Sequence, residues 1–365
     1  MGKAKKKKFS PGLAIFTAIV MLIVGIAGGF VTYLQTNQEP SDVYVSGDLE
    51  IHFLELGNKY TGDCTYINAG GIDILIDAGS KTSSIPTISA YLDQYVTDGI
   101  LEYVIVTHAH QDHYAGFATS EKQDSLFDLY ECEIIIDFAQ TNQKDTATMY
   151  SNYIRERDDE IANGATHYTA LDCMTKGMNI FTLGNGMELE ILDNYYYYQK
   201  DSSGENNHSV CCMITQGDNH FLFTGDLEES GEEKLVELNT LPQVTLYKAG
   251  HHGSKTSSSD VLLSVIQPKI VCVCCCAGSP EYTTNNSNQF PTQDFVDRIA
   301  PYTKYVYVTT LCTDYENNQF TSMNGNIKIT SNASGVYVTC SNIDTILKDW
   351  EWFQKNRTCP TAWKE

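Results

Sequence analysis

The chain has 365 residues, 42% of them hydrophobic, enough to bury a sizeable core and to exclude wholesale disorder. Lys and Arg number 24 against 46 Asp and Glu, a formal charge of −22. Five of those cations lie before residue 9 and Glu39 is the only acid before residue 41, so residue 41 onward carries 19 cations against 45 anions, and composition offers no cationic surplus for gripping a long polyanion.

The first predicted element follows the run Lys3, Lys5, Lys6, Lys7, Lys8. Pro11 to Leu34 is 24 residues without a charge. As a helix it spans about 36 Å, against about 30 Å for a bilayer's hydrocarbon core. A cleavable signal peptide has a shorter apolar region, of about 7–15 residues, and a small-x-small site after it. Neither feature is present, so the segment reads as an uncleaved signal-anchor. The lysines place residues 1–10 in the cytoplasm, and everything after the 11–34 transmembrane helix is then extracellular. Residues 35–45 form a polar linker, 46–345 one domain, and 346–365 a C-terminal tail.

Within the domain, strands are expected at 49–56, 65–67, 72–76, 103–107, 133–136, 179–183, 187–192, 210–215, 221–224 and 244–248. The apolar run KIVCVCCC after Pro268 is a further strand, followed by others at 304–310, 325–330 and 335–340. In that run cysteine acts as a small hydrophobe, and neighbours on a strand point to opposite faces, which makes pairing among them geometrically poor. Helices begin near Pro86 and cover 145–162, 228–238, 259–266 and 292–299. Strands and helices alternate in runs, with hairpins between, which implies α/β sheets covered by helices outside.

Six of the nine histidines fall in three short segments: THAHQDHYAG, NNHS and AGHHGSKTSSS. In H-x-H-x-D-H, His108 and His110 can project to one side while Asp112 and His113 face a second position nearby. Imidazole nitrogens suit zinc, and an adjacent carboxylate suits a harder second cation. Each candidate ends an apolar strand: YVIVT runs into His108, FLFTG into Asp226, VTLYKAG into His251 and IDILI into Asp77. Active groups of α/β proteins gather where several strands end at one sheet edge.

The segments FLELG…GDCTYI, ILIDAGS, VTHAHQDHYAG, NNHSV, FLFTGDLEESGEEKL, KAGHHGSKTSS and NGNIKIT resemble the metallo-β-lactamase fold, and within it the ComEC competence-protein hydrolase domain and its stand-alone relatives, over about residues 46–341. The turn GNKYTGD is longer than that family's compact glycine-rich one. The resemblance implies an αββα sandwich of two mixed sheets flanked by helices, here preceded by one transmembrane helix. It implies two Zn²⁺ ions, with Mn²⁺ as the alternative. His108, His110 and a third group, His208 or else Asn207, would hold one ion. Asp112, His113 and a late histidine would hold the other, with Asp226 bridging. His251 is taken as the late ligand and His252 as an outer or substrate group, the reverse assignment staying open. Asp77 would orient a ligand histidine or the attacking water. Asp112, His252 and Asp77 are thus the expected catalytic groups.

The implied activity is a membrane-anchored extracellular binuclear hydrolase, a phosphodiesterase or nuclease whose metal-bridging hydroxide attacks a nucleic acid or a cell-envelope phosphodiester. A thioester or lactone hydrolase of the glyoxalase type and a non-catalytic surface-binding module are the alternatives. The best-known zinc β-lactamases resembling this fold place cysteine where this chain has Asp226, which disfavours antibiotic hydrolysis. Ser254, Lys255, Thr256, Ser257 and Ser258 suit either phosphate oxygens or a helix cap before Asp260.

Overall fold

The computed structural model describes residues 49–120, 123–202 and 204–364. The expected basic segment 1–10, transmembrane helix 11–34 and linker 35–45 lie outside the described residues. Among the described residues no helix is long and apolar enough to cross a membrane.

In chain order the strands are β1 Leu49–Phe53, β2 Thr65–Ala69, β3 Asp73–Ile76, β4 Ile100–Ile105, β5 Glu131–Asp137, β6 Thr166–Thr169, β7 Ile180–Thr182 and β8 Glu188–Ile191. They continue with β9 Cys212–Gln216, β10 Asn219–Phe223, β11 Leu246–Lys248, β12 Ile270–Ala277, β13 Val306–Asp314, β14 Gln319–Ser322, β15 Ile327–Asn332 and β16 Gly335–Cys340. One eight-stranded sheet runs β16-β15-β1-β2-β3-β4-β5-β6, the other β14-β13-β12-β11-β10-β9-β8-β7. Both are mixed. β3 to β6 pair in parallel in the first sheet and β10 to β13 in the second, while the remaining pairs are antiparallel. The α/β sandwich with two mixed sheets and helices outside is therefore present.

Strands covered on both faces need apolar residues at every position, and those covered on one face alternate. β12 and the Ile74–Ile76 stretch of β3 are of the first kind, while β15 alternates buried and half-buried residues. In β12, Cys272 and Cys274 face the core between the sheets, whereas Val271, Val273 and Cys275 join a second core outside the second sheet. That outer core is closed by the helices Glu229–Leu238, Asp260–Ile266 and Gln293–Ile299. All twelve cysteines are free.

Two strands went unforeseen, β6 (THYT) and β14 (QFTS). Both are polar, partly exposed and end short runs at or near a sheet edge, where a hydrophobic pattern has no reason to develop. Residues 346–364, read from sequence as a tail, pack Leu347, Phe353 and Trp363 into the outer core.

Candidate metal centre

The carboxyl ends of the parallel strands in the two sheets meet along one edge. β3 delivers Asp77, and β4 leads to His108, His110 and the short helix Gln111–Tyr114 carrying Asp112 and His113. From the second sheet, β10 delivers Asp226 and β11 delivers the turn Gly250–Gly253 with His251 and His252. Asp77, His251 and His252 have φ of 59°, 46° and 56°, left-handed values that cost non-glycine residues of order 1–3 kcal/mol each and concentrate where function demands them. Gly225 is also left-handed, and a Cβ there would come within 2.8 Å of Ser209 Oγ and 2.9 Å of Thr107, the two residues that flank His108 Nδ1.

Asp226 is the hub. Its Oδ2 lies 3.2 Å from His113 Nε2, 3.3 Å from His252 Nε2, 3.9 Å from His251 Nε2 and 4.0 Å from His108 Nε2. His252 Nε2 is also 3.4 Å from Asp112 Oδ2, and His108 Nε2 is 3.0 Å from His110 Nδ1. Behind these atoms the rings are fixed from outside. His113 Nδ1–H donates to Asp77 Oδ2 at 2.7 Å, while Asp77 accepts from the Thr107 N–H and hydroxyl, each at 2.8 Å. His252 Nδ1–H donates to the Cys274 carbonyl at 2.9 Å. In its neutral form each ring therefore presents a bare Nε2 to the hub, the arrangement that outer hydrogen bonds impose on metal-binding imidazoles.

Burial alone would neutralise every ionisable group here, and mutual charge opposes it. Burial would raise the Asp226 carboxyl, yet His113, His252 and His251 hold it well below the usual carboxylate range. Burial would lower His113, yet Asp226 and Asp77 hold it well above the ordinary imidazole value, and Asp226 and Asp63 do the same for His252. Burial pushes His108 down and Asp77 up. The buried atoms His113 Nε2, His252 Nε2, Asp226 Oδ1 and Asp63 Oδ1 have no aligned hydrogen-bond partner. Uncompensated buried donors and acceptors are costly, and a divalent cation would satisfy those facing the hub. Donor atoms of Asp63, His113, Asp226 and His252 lie within 4.8 Å of one another. The group fits a divalent metal.

Of the expected ligands, His108, His110, Asp112, His113 and Asp226 are brought together, with His251 at the margin. His252, expected as an outer or substrate group, points into the hub and is buried, whereas His251 is 22% exposed and its Nδ1 is 3.0 Å from the Thr256 hydroxyl. His208, expected as a third ligand, is turned away: its Nε2 accepts the Asp201 N–H at 2.9 Å and its Nδ1 faces Glu205 at 3.5 Å. The alternative Asn207 is occupied too, donating to Asp201 and Ser230 and accepting from the Glu228 N–H. Ser209 instead touches the site, with Oγ 3.4 Å from His108 Nδ1 and accepting the Asp226 N–H at 3.1 Å.

Asp63 and Lys248 were missed as well. Asp63 sits behind His252, its Oδ1 3.1 Å from Nδ1, and forms a buried ion pair with Lys248, whose Nζ is 3.9 Å from Asp226 Oδ1. Asp63 precedes β2, which runs antiparallel to β3, so the start of β2 lies at the same edge as the end of β3. The available signal was the Gly-Asp step before a buried strand. A Cβ on Gly62 would lie 2.8 Å from the Asp112 carbonyl oxygen, so the small residue lets this loop close on the metal-binding turn. Lys248 gave a signal as well, a lysine inside the apolar run VTLYKAG.

The serine-rich loop is consumed by the fold. Ser257 Oγ donates to the Leu227 carbonyl, Arg298 donates to the carbonyls of Ser254, Lys255, Ser257 and Ser258, and Glu232 accepts the Ser258 and Ser259 N–H groups at 2.6 and 2.7 Å. Glu232 is fully buried, and burial pushes its carboxyl up to about 7, against about 4.3 in an unfolded chain. The folded state binds this proton more tightly, so the stability that Glu232 contributes is full below about pH 4.3 and is lost as pH rises to about 7. Between about pH 4 and 8, the stability of the wild type relative to Glu232→Gln is expected to fall by roughly 3 kcal/mol. Urea unfolding at both pH values measures it, and a constant difference would refute the assignment.

Above the hub opens a cavity of about 380 Å³, lined by Lys81, His110, Gln111, Asp112, Asp226, His251, Glu281 and Tyr282. Lys81 is the one Lys or Arg among these lining residues. Its Nζ lies 4.7 Å from the Tyr60 ring centroid, and Tyr282 donates its hydroxyl to Asp112 at 2.7 Å.

A cluster of imidazoles and carboxylates at the shared edge of two sheets, under an open cavity, defines a metal-dependent hydrolase type of centre. The profile of the Metallo-beta-lactamase superfamily matches residues 57–123 and 200–277, the two segments that hold the cluster. Over those two segments the chain is similar to the metallo-β-lactamase superfamily. It is 38% identical over 69 residues to Recombination protein 2 of Haemophilus influenzae, covering 19% of this chain and 8% of that protein. It is 24% identical over 174 residues to ComE operon protein 3 of Bacillus subtilis, covering 46% of this chain and 19% of that protein. The chain thus spans under a fifth of these curated relatives. Among solved structures, the metallo-beta-lactamase fold protein YhfI of Bacillus subtilis aligns with a TM-score of 0.40 and 11% identity, over 72% of this chain and 96% of that one.

Proposed function

We propose that this chain is a metal-dependent phosphodiesterase that uses two divalent cations, zinc being favoured by the imidazole content and manganese second. The observation that carries the proposal is the convergence of His108, His113, His252 and Asp226 under a cavity whose wall holds Lys81. Asp112, His113, His252 and Asp226 would hold one cation, and His108, His110 and Asp226 the other. When bound, such cations lower the pKa of water and offset charge on an ester. Asp77 keeps His113 in the tautomer that turns Nε2 to the hub, and the Cys274 carbonyl does so for His252. Lys81 supplies a fixed positive charge for the non-bridging oxygens of an anionic ester.

The names of the relatives, a recombination protein and a competence operon protein, favour nucleic acid among phosphodiesters. The acidic surplus after residue 41 favours a short or envelope-bound phosphodiester over a long polyanion. With the Pro11–Leu34 segment as an anchor and the lysines before it inside, the domain is proposed to face outward. Protease added to intact cells is then expected to remove it. Digestion only after lysis would reverse the orientation.

The purified protein is expected to hydrolyse bis-p-nitrophenyl phosphate when Zn²⁺ or Mn²⁺ is added, to stop with chelator, and to leave nitrocefin intact. Turnover of a thioester but not of the phosphodiester would overturn the substrate class. Lys81→Ala is expected to raise KM about tenfold with kcat changed by less than about twofold, the mark of a contact made equally in ground and transition states. A loss confined to kcat would contradict that role.

A further inference from the structure

We propose a second ligand site at the opposite end of the second sheet, a groove that takes a nucleoside monophosphate. A groove of about 730 Å³ is lined by Tyr302, Tyr305, Tyr307 and Tyr337 together with Lys269 and Lys304. It lies where β12 and β13 begin, next to β16 of the other sheet. The metal centre follows the carboxyl end of β11, which runs parallel to β12, so the two sites occupy opposite ends of these strands.

Three observations point to the ligand. Tyr305 and Tyr337 are each 50% exposed and line the same groove as the nearly buried Tyr307, which gives the groove accessible aromatic rings. Such faces stack flat rings, and bases on aromatic side chains are a recurring, sequence-tolerant case. Lys269 and Lys304 make no ion pair among the described residues, although the chain has nearly twice as many acids as bases. Lys304 Nζ lies 5.8 Å from the Tyr305 ring centroid, placing positive charge beside a stacking face. Asp344 is the carboxylate whose charge reaches Tyr307 and Cys340, and it already accepts the Cys340 N–H at 2.7 Å. Two lysines match one phosphate and not a chain of them, and the volume lies within the range of small-molecule sites. A flat base with a single phosphate satisfies both halves of the groove.

The site is independent of the hydrolase proposal. Calorimetric titration of the full chain with AMP, adenosine, ribose 5-phosphate and glucose 6-phosphate tests it. AMP is expected to bind at least about tenfold more tightly than the other three, because only AMP engages tyrosines and lysines together. Lys269→Gln with Lys304→Gln should reduce AMP to the level of adenosine. Tyr305→Ala with Tyr337→Ala should reduce it to the level of ribose 5-phosphate. Both pairs change exposed side chains, so thermal melts should match the wild type, and metal-dependent phosphodiester turnover should be unchanged. AMP binding that survives both double variants would place it elsewhere, the metal centre included, and overturn the site. Glucose 6-phosphate binding as tightly as AMP, or no saturable binding of AMP at millimolar concentration, would overturn the ligand.

Discussion

Asp226→Ala is expected to lower phosphodiester turnover by at least about 10², a loss of roughly 2.7 kcal/mol of transition-state stabilisation, in a protein that stays folded. One carboxylate oxygen stands between 3.2 and 4.0 Å from four imidazole nitrogens, two from each sheet, so Asp226 faces imidazoles from both halves of the centre at once. Its removal takes away the carboxylate 4.0 Å from His108 Nε2 and leaves Lys248 facing one fewer acid. Asp226 lies in a turn after β10, and the strand pairing of Phe221 to Phe223 does not depend on its side chain. The loss should therefore fall on metal content and turnover before it falls on the fold. Metal analysis should give more than one equivalent for the wild type and less than one for the variant. Full activity in a folded Asp226→Ala protein would end the two-cation proposal.

What the sequence made legible follows from how each residue is placed. His108, His110, Asp112 and His113 could be found because a six-residue motif after an apolar strand constrains its own geometry. Asp226 and Asp77 could be found because parallel strands send their carboxyl ends to one edge. Asp63 obeys the same geometry in reverse, since it enters from the start of an antiparallel strand, and a rule written for carboxyl ends passes over it. His208 misled because chemical identity was weighed without the local turn: Asn206–His208 is a single 3₁₀ turn that aims the imidazole at Glu205 and the Asp201 N–H. The hydroxyl of the next residue, Ser209, is what reaches the centre. The strand pattern was legible wherever burial forces apolar residues, as in β12, and faded at the edges, where β6 and β14 carry polar, partly exposed residues.

The sharpest remaining expectation separates two adjacent histidines. His252→Ala should lower turnover by about 10² or more and weaken metal binding at least about tenfold, while His251→Ala should stay within about tenfold of the wild type in turnover. Spacing cannot rank neighbours, but backbone conformation does. Two successive left-handed residues, at φ of 46° and 56°, turn the chain so that the second imidazole enters the hub and the first lies over Thr256 and Glu228. His252 then has both nitrogens committed, Nδ1 to the Cys274 carbonyl and Asp63, Nε2 toward Asp112 and Asp226. Truncating it leaves the Asp63–Lys248 pair without its third member and the hub without a donor, whereas truncating His251 removes a partly exposed ring that is 3.9 Å from Asp226. Metal affinity by competition with a chromophoric chelator, measured beside turnover, distinguishes the two variants even if the substrate is changed. A His251→Ala protein that loses metal while His252→Ala retains it would show that the turn is threaded the other way.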